Sequence, residues 1–327
     1  MVKVGIVGTS NIAKWFLEAI STVKNAKVTT LYSRTQPRGS EFCNECNLDV
    51  DITTNYEAML NQVDAVYIAS PNSLHYQQAK VAIANKKHVL CEKPVTINLA
   101  QLDELIKLSE ENNVIFMEAL KLFAMPSFQA IKNGMAEIGV IRQVFFTFCQ
   151  YSPRYDLYKE GQETNILSAK YGSGALMDIG VYCIYPCVAL FGKPERIQSS
   201  VTMLNNGVDG SGSIILSYDG FIATLTYSKT NSSIGWSEIM GEEGSVAIEH
   251  ISAPYKVILH KNGEEIRMDK DFEVHHMYYE IQEFINSVEK NKLSDLYNHK
   301  NMITTMKILE QIRLSNDIIF DDEKIEH

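Results

Sequence analysis

The chain has 327 residues, 45% of them hydrophobic and 21% charged, and 30 Lys+Arg against 40 Asp+Glu give a net charge of −10. That length predicts about two domains with a sizeable core, on an ordinary globular composition. The negative balance argues against nucleic acid or an anionic membrane as the main partner, since both attract positive charge.

The opening "MVKVGIVG" lacks the basic stretch, apolar core and cleavage site of a signal peptide. The longest apolar run, residues 181–192 "VYCIYPCVALFG", is shorter than the ~20 residues a bilayer span needs and contains Pro186. Six cysteines in a chain of this size do not read as a disulfide framework, so a cytoplasmic protein with reduced thiols is expected. Cys43 and Cys46 form one C-x-x-C without a second pair or a histidine cluster, which predicts two thiols on a helix and no metal site.

Over residues 1–120, β-branched runs ("VKVGIVG", "KVTTLYS", "VDAVYIAS", "KHVLCEK", "NVIFMEA") alternate with stretches of helical spacing such as "SLHYQQAKVAIANKK". Near-continuous apolar strands alternating with helices predict an α/β unit with a doubly wound parallel sheet. From residue 121 to 327 the texture changes. "VIRQVFFTFCQ", "SGSIILSYD" and "FIATLTYSKT" alternate with period two, and Asp219-Gly220 and Asn262-Gly263 are hairpin dipeptides. An α+β domain is predicted there, with a mostly antiparallel, open-faced sheet. One helix interrupts it near residues 175–190 and two more lie near the end. "VFFTFCQY" is apolar on both faces, so the bare face is expected to pair with another subunit as a homodimer or homotetramer.

The first strand runs into "GTSNIAKWF". Gly8, Ser10 and Ala13 stand at the spacing of G-x-G-x-x-[G/A], where small residues allow a tight turn, close backbone approach to a pyrophosphate, and helix–strand packing. Thr9, Asn11 and Ile12 complete the turn, and the N–H groups at the helix start suit an anion. A dinucleotide-binding Rossmann domain is the reading. An NAD site would place a carboxylate at the end of the second strand, but this chain has Ser33 and Arg34 there, with Arg38 close behind. A hydroxyl and guanidinium groups suit a 2′-phosphate, which predicts NADP, with NAD possible. Ser70, Pro71 and Asn72 end the fourth strand, where a sheet of this kind binds ligands. "EKP" (Glu92, Lys93, Pro94) reaches the same edge from the fifth strand. His275 and His276 read as surface or cap residues.

"GIVGTSNIA", "SPNSLH", "HVLCEKP" and "GSGALMDIGVYCI" together resemble the Gfo/Idh/MocA family of glucose–fructose oxidoreductase and inositol dehydrogenase-like enzymes. The likeness spans essentially the whole chain. It is strongest to the branch of NADP-dependent dimeric dihydrodiol dehydrogenase and D-xylose dehydrogenase, which shares "SR" and a tyrosine in "DIGVY".

The resemblance implies that Lys93 contacts nicotinamide ribose and substrate and that Pro94 follows a cis bond. It also implies that Asp178 and Tyr182 meet them from the second domain. Tyr182 would then be the general acid. A tyrosine of pKa about 10 needs help in that role, which the Lys93 ammonium would supply. Glu92 reads as an orienting partner. His75 belongs to the "P-N-x-x-H" stretch, as a cofactor-site or packing residue, and Glu118 stands near the substrate edge. Many members carry histidine where Tyr182 stands, and the arginine they often show after Glu118 is Lys121 here.

The function implied is hydride transfer between nicotinamide and a hydroxyl or carbonyl of a sugar, polyol or trans-dihydrodiol. The alternative is a non-catalytic dinucleotide sensor on the same fold.

Overall fold

The structure, a computed structural model, describes residues 1–272 and 274–323. In chain order its elements begin β1 (Val2–Val7), α1 (Asn11–Ile20), β2 (Ala26–Tyr32), α2 (Gln36–Glu45), β3 (Asp51–Thr53), α3 (Tyr56–Leu60) and β4 (Ala65–Ile68). They continue with α4 (Asn72–Ala84), β5 (His88–Glu92), α5 (Leu99–Asn112), β6 (Phe116–Ala119), α6 (Lys121–Ala124) and α7 (Pro126–Met135). Next come β7 (Ile141–Cys149), α8 (Pro153–Lys159), a π-helical turn (Leu176–Gly180), α9 (Val181–Phe191), β8 (Arg196–Met203), β9 (Asp209–Tyr218) and β10 (Phe221–Ser228). The last are β11 (Ser237–Gly241), β12 (Gly244–Glu249), β13 (Lys256–Lys261), β14 (Glu264–Arg267), α10 (Tyr278–Lys290) and α11 (His299–Ser315).

Two compact units result. The first takes Met1–Ala124 and also Phe272–His299, and the second takes Met125–Asp271 and the chain from Lys300 onward. The return of 272–299 brings α10 against α1 and α6.

The first unit holds a parallel sheet of order β3-β2-β1-β4-β5-β6. All four residues of β4 are buried, and so are the last four of β5, as expected for strands covered on both faces. The reversal of strand order between β1 and β4 puts a crevice at their carboxyl ends, where ligands bind in such sheets.

The second unit holds an eight-stranded sheet of order β14-β13-β12-β11-β7-β10-β9-β8. It is antiparallel except where β10 runs parallel to β7, because the chain between those strands passes through helices and the β8–β9 pair. Asn262 and Gly263 both adopt left-handed backbone (φ 55° and 78°), as the tight turn between β13 and β14 requires. Val144, Phe146, Ile214, Leu216, Ala223, Leu225 and Tyr227 face the core. The opposite face leaves Gln198, Ser200, Ser213, Ile215 and Ile222 exposed.

The stretch Ala169–Phe191 is long and apolar enough to cross a membrane by length and composition, but 72% of its apolar window is buried inside the protein. It is a core helix, longer than its apolar run because irregular turns precede α9. Two devices anchor it to the sheet. Asp209, buried at the start of β9, accepts from the Leu176 backbone N–H through Oδ2 at 2.8 Å, which occupies one donor at the start of the π turn. Gly180 lies so close to β10 that an added Cβ would sit 3.0 Å from the Tyr227 ring.

Gly180→Ala is therefore expected to lower stability by about 1–3 kcal/mol, since the ring or the helix must shift. Urea unfolding checks this, and an unchanged midpoint would contradict the close packing.

Candidate active site

Gly8 makes the turn out of β1 at φ +108°, and a Cβ there would lie 2.9 Å from the Ala69 carbonyl oxygen, so only glycine fits. Ser10, in extended backbone, is the N-cap of α1. Its hydroxyl makes no cap bond and instead donates to Ala69 O at 3.1 Å, tying the loop to the end of β4. Ser10 thus serves as a cross-strand tether, a role its place in the glycine pattern does not suggest. Arg38 is held over the same loop. Its Nε donates to Thr9 Oγ1 at 3.2 Å and its Nη2 to Thr9 O at 3.0 Å, while Nη1 pairs with Glu41 at 2.6 Å.

These groups surround a cavity of about 400 Å³. Of the expected cofactor residues, Gly8, Thr9, Ser10, Ser33, Arg34, Arg38, Ser70 and Pro71 line it, together with Thr35 and Gln78, which were not anticipated. Gln78 accepts from the Ser70 hydroxyl at 2.6 Å. Asn11 and Ile12 open α1 and Asn72 opens α4, outside that lining. His75, Glu92 and Lys93 lie outside it as well.

From Val89 to Ile97 every residue is buried except Lys93. The Lys93–Pro94 peptide bond is cis. The turn is pinned at successive residues. His75 sets Nδ1 3.0 Å from Pro94 O and Nε2 2.8 Å from Ser70 O, bridging the loops after β4 and β5. Glu118 accepts the Val95 N–H at 2.9 Å, and Thr96 Oγ1 donates to Asn98 O at 3.0 Å. Glu92 turns inward and accepts from the Tyr67 hydroxyl at 2.5 Å.

Burial pushes the Glu92 carboxyl up, against the pull of Tyr67, Lys93 and Lys121. It pushes Glu118 up to about 8. Lys121 is drawn down by burial, with the buried carboxyls of Glu280 and Glu92 opposing, and burial raises Glu280 in turn. Glu280 lies on α10, far along the chain, and an ordinary amphipathic helix pattern conceals it. His275 and His276 are half-buried rather than surface residues. His275 Nδ1 accepts from the Met277 N–H at 3.2 Å, and burial lowers His276 to about 3.

The second unit also has a buried segment, with two outlets. From Gly172 to Val188, only Asp178 and Tyr182 are not buried. Asp178 sits in the π turn, a rare geometry concentrated at functional sites. Its carboxylate pairs with Lys229, which was not anticipated. Tyr182 meets Phe148 edge-on, with ring centroids 5.7 Å apart. Asp178 thus lies in the π turn and Tyr182 in the first turn of α9.

Residues 2–120 match the family described as "Oxidoreductase family, NAD-binding Rossmann fold", and residues 129–247 match its "GFO/IDH/MocA C-terminal domain". The chain belongs to the GFO/IDH/MocA oxidoreductase family. It is 39% identical over 323 residues to scyllo-inositol 2-dehydrogenase (NADP(+)) IolU of Bacillus subtilis, covering 98% of each chain. It is 28% identical over 280 residues to trans-1,2-dihydrobenzene-1,2-diol dehydrogenase of Xenopus laevis, covering 82% of this chain and 81% of that one. The crystal structure of KijD10, a 3-ketoreductase from Actinomadura kijaniata in complex with NADP and TDP-benzene, superposes with a TM-score of 0.83. That likeness, at 23% identity and covering 98% and 99% of the two chains, is one of fold.

Glu118 gives a signed pH test. Ionised in the unfolded chain above about 4.5 but protonated in the folded state up to about 8, it adds stability that is fully present below 4.5 and lost as pH rises toward 8. Urea unfolding from about pH 5 to 8 is expected to show the wild type losing stability relative to Glu118→Gln. Parallel curves would contradict the assignment.

Proposed function

We propose that the protein is an NADP-dependent dehydrogenase acting on a secondary hydroxyl of a sugar or polyol, with scyllo-inositol the first substrate to test. The observation that carries the cofactor half is the cavity at the end of β2. Ser33, Arg34 and Arg38 line it, and none of its lining residues is acidic. Hydroxyl and guanidinium donors suit a 2′-phosphate, whereas a ribose 2′-OH calls for a carboxylate. NAD is the weaker candidate. The substrate half rests on IolU, named as an NADP(+)-dependent scyllo-inositol dehydrogenase.

In this reading Gly8 to Ile12 cradle the pyrophosphate, and the Ser70–Asn72 loop and the pinned 93–97 turn hold the nicotinamide end. His75 and Glu92 keep that turn in place from behind. Bound NADP supplies the hydride chemistry. During oxidation Tyr182 accepts the hydroxyl proton as the C–H hydride leaves, and in reduction it returns that proton to the carbonyl oxygen. The Lys93 ammonium hydrogen-bonds the reacting oxygen. Asp178 accepts from a substrate hydroxyl. A sensor would need none of these exposed acid and base groups. A cytoplasmic location belongs to the same reading, supported by six reduced cysteines.

The test is turnover of scyllo-inositol with NADP+, followed by NADPH absorbance. Lys93→Met is expected to cut kcat by at least ~10³-fold, within the range set by loss of a positioned proton-transfer group, while NADPH still quenches protein fluorescence on binding. Full activity in that variant would refute the role of Lys93, and NADPH binding without turnover of any polyol by the wild type would favour the sensor.

Self-association through the open sheet face is also proposed, on the exposure of Ile215 and Ile222 at 39% and 46%. Light scattering should show a dimer or tetramer that Ile215→Arg/Ile222→Arg dissociates; a monomer at all dilutions would rule it out.

A further inference from the structure

Lys229 and Asp178 form an ion pair with an unusual arrangement. A lysine beside an aspartate at a protein surface normally extends its long stem so that the ammonium lies in water. Here the order is reversed. The lysine side chain is 8% exposed and the aspartate 28%. The cation lies beneath and the short acid is held outward, in a segment, Gly172 to Val188, where only Asp178 and Tyr182 are not buried.

The base of Lys229 is fixed as firmly as its end. It follows β10 in the turn "SKTN", where the Ser228 hydroxyl receives the N–H groups of Thr230 (3.1 Å) and Asn231 (3.2 Å). The Lys229 N–H donates to Gly210 O at 2.9 Å, and its carbonyl receives the Ser152 N–H at 2.9 Å. Gly210 leaves room for this turn, since a Cβ there would lie 2.8 Å from the Thr230 methyl. A flexible four-carbon stem therefore starts from a clamped backbone and ends on a carboxylate.

We infer that Lys229 is a positioning residue for the reaction, acting through Asp178. Its ammonium occupies Asp178 Oδ2 from the inside and keeps the carboxylate turned outward. A carboxylate accepts about four hydrogen bonds, so it keeps capacity for a substrate hydroxyl. Simple stabilisation does not require this arrangement, because taking an ammonium out of water costs several kcal/mol that its attraction to a partly exposed carboxylate need not repay. The inference rests on the proposed role of Asp178 in holding substrate.

The experiment compares Lys229→Met, Asp178→Asn and the double variant in steady-state oxidation of scyllo-inositol with NADP+, with NADPH affinity by fluorescence and unfolding midpoints alongside. Lys229→Met is expected to lower kcat/KM for the polyol ~10- to 100-fold, the loss of one or two charge-assisted hydrogen bonds, with NADPH affinity unchanged. The double variant should be no slower than Asp178→Asn, since Lys229 has no route except through that carboxylate. It also removes the carboxylate that Lys229→Met leaves unpaired, so it supplies a folded sample if Lys229→Met alone unfolds. Wild-type kcat/KM in Lys229→Met, or losses that multiply in the double variant, would overturn the inference. The wider reading fails differently, on a wild-type enzyme that turns over no polyol.

Discussion

A charge inside a protein must be paired, neutralised or allowed to reach water, and this constraint shapes both motifs of the molecule. Glu92 and Glu118 are sealed under the turn after β5, one on the Tyr67 hydroxyl and the other on the Val95 amide, while Lys93 between them is left an outlet. In the second unit Lys229 is sealed and Asp178 is left the outlet. Apart from Tyr182, each segment is otherwise closed to solvent. The side chains that remain accessible are therefore set by packing that fills every other position, so their geometry does not depend on loop flexibility.

The same logic explains why "EKP" can follow a buried strand. Glu92 is the last residue of β5 and faces inward, where a neutral or hydrogen-bonded carboxyl is tolerated. Lys93 is the first residue past the strand, at the carboxyl edge of the sheet. Pro94 has no N–H to satisfy, and its carbonyl is taken by His75. His75 thereby ties together two loops at the carboxyl edge of the sheet, which makes it structural in the first instance and functional through what it holds.

Much of this was legible from local pattern. Strand–helix alternation, the small-residue turn at Gly8 and the hairpin dipeptides each follow from short-range sterics and periodicity, and they led to the parallel sheet and the mostly antiparallel sheet found. Other features depend on contacts distant in sequence. Lys229 lies 51 residues from Asp178 in a turn that reads as an ordinary strand end. The π turn differs from an α-helix by one step of hydrogen bonding, and composition does not encode that. Glu280 looks like any acid on an amphipathic helix until 272–299 is seen to rejoin the first unit. Ser10 takes the second glycine's place in the motif, and its bond to Ala69 O gives it a use the pattern does not show.

We propose that Lys93 and Tyr182 handle the proton at the oxygen that the hydride step creates or consumes. The most direct measurement is a crystal structure with NADPH and scyllo-inositol bound, read for the partners of the hydroxyl on the carbon facing the nicotinamide. The account predicts Lys93 Nζ and the Tyr182 hydroxyl within about 3.2 Å of that oxygen. Another acid or base occupying that position, with Lys93 and Tyr182 directed elsewhere, would contradict it.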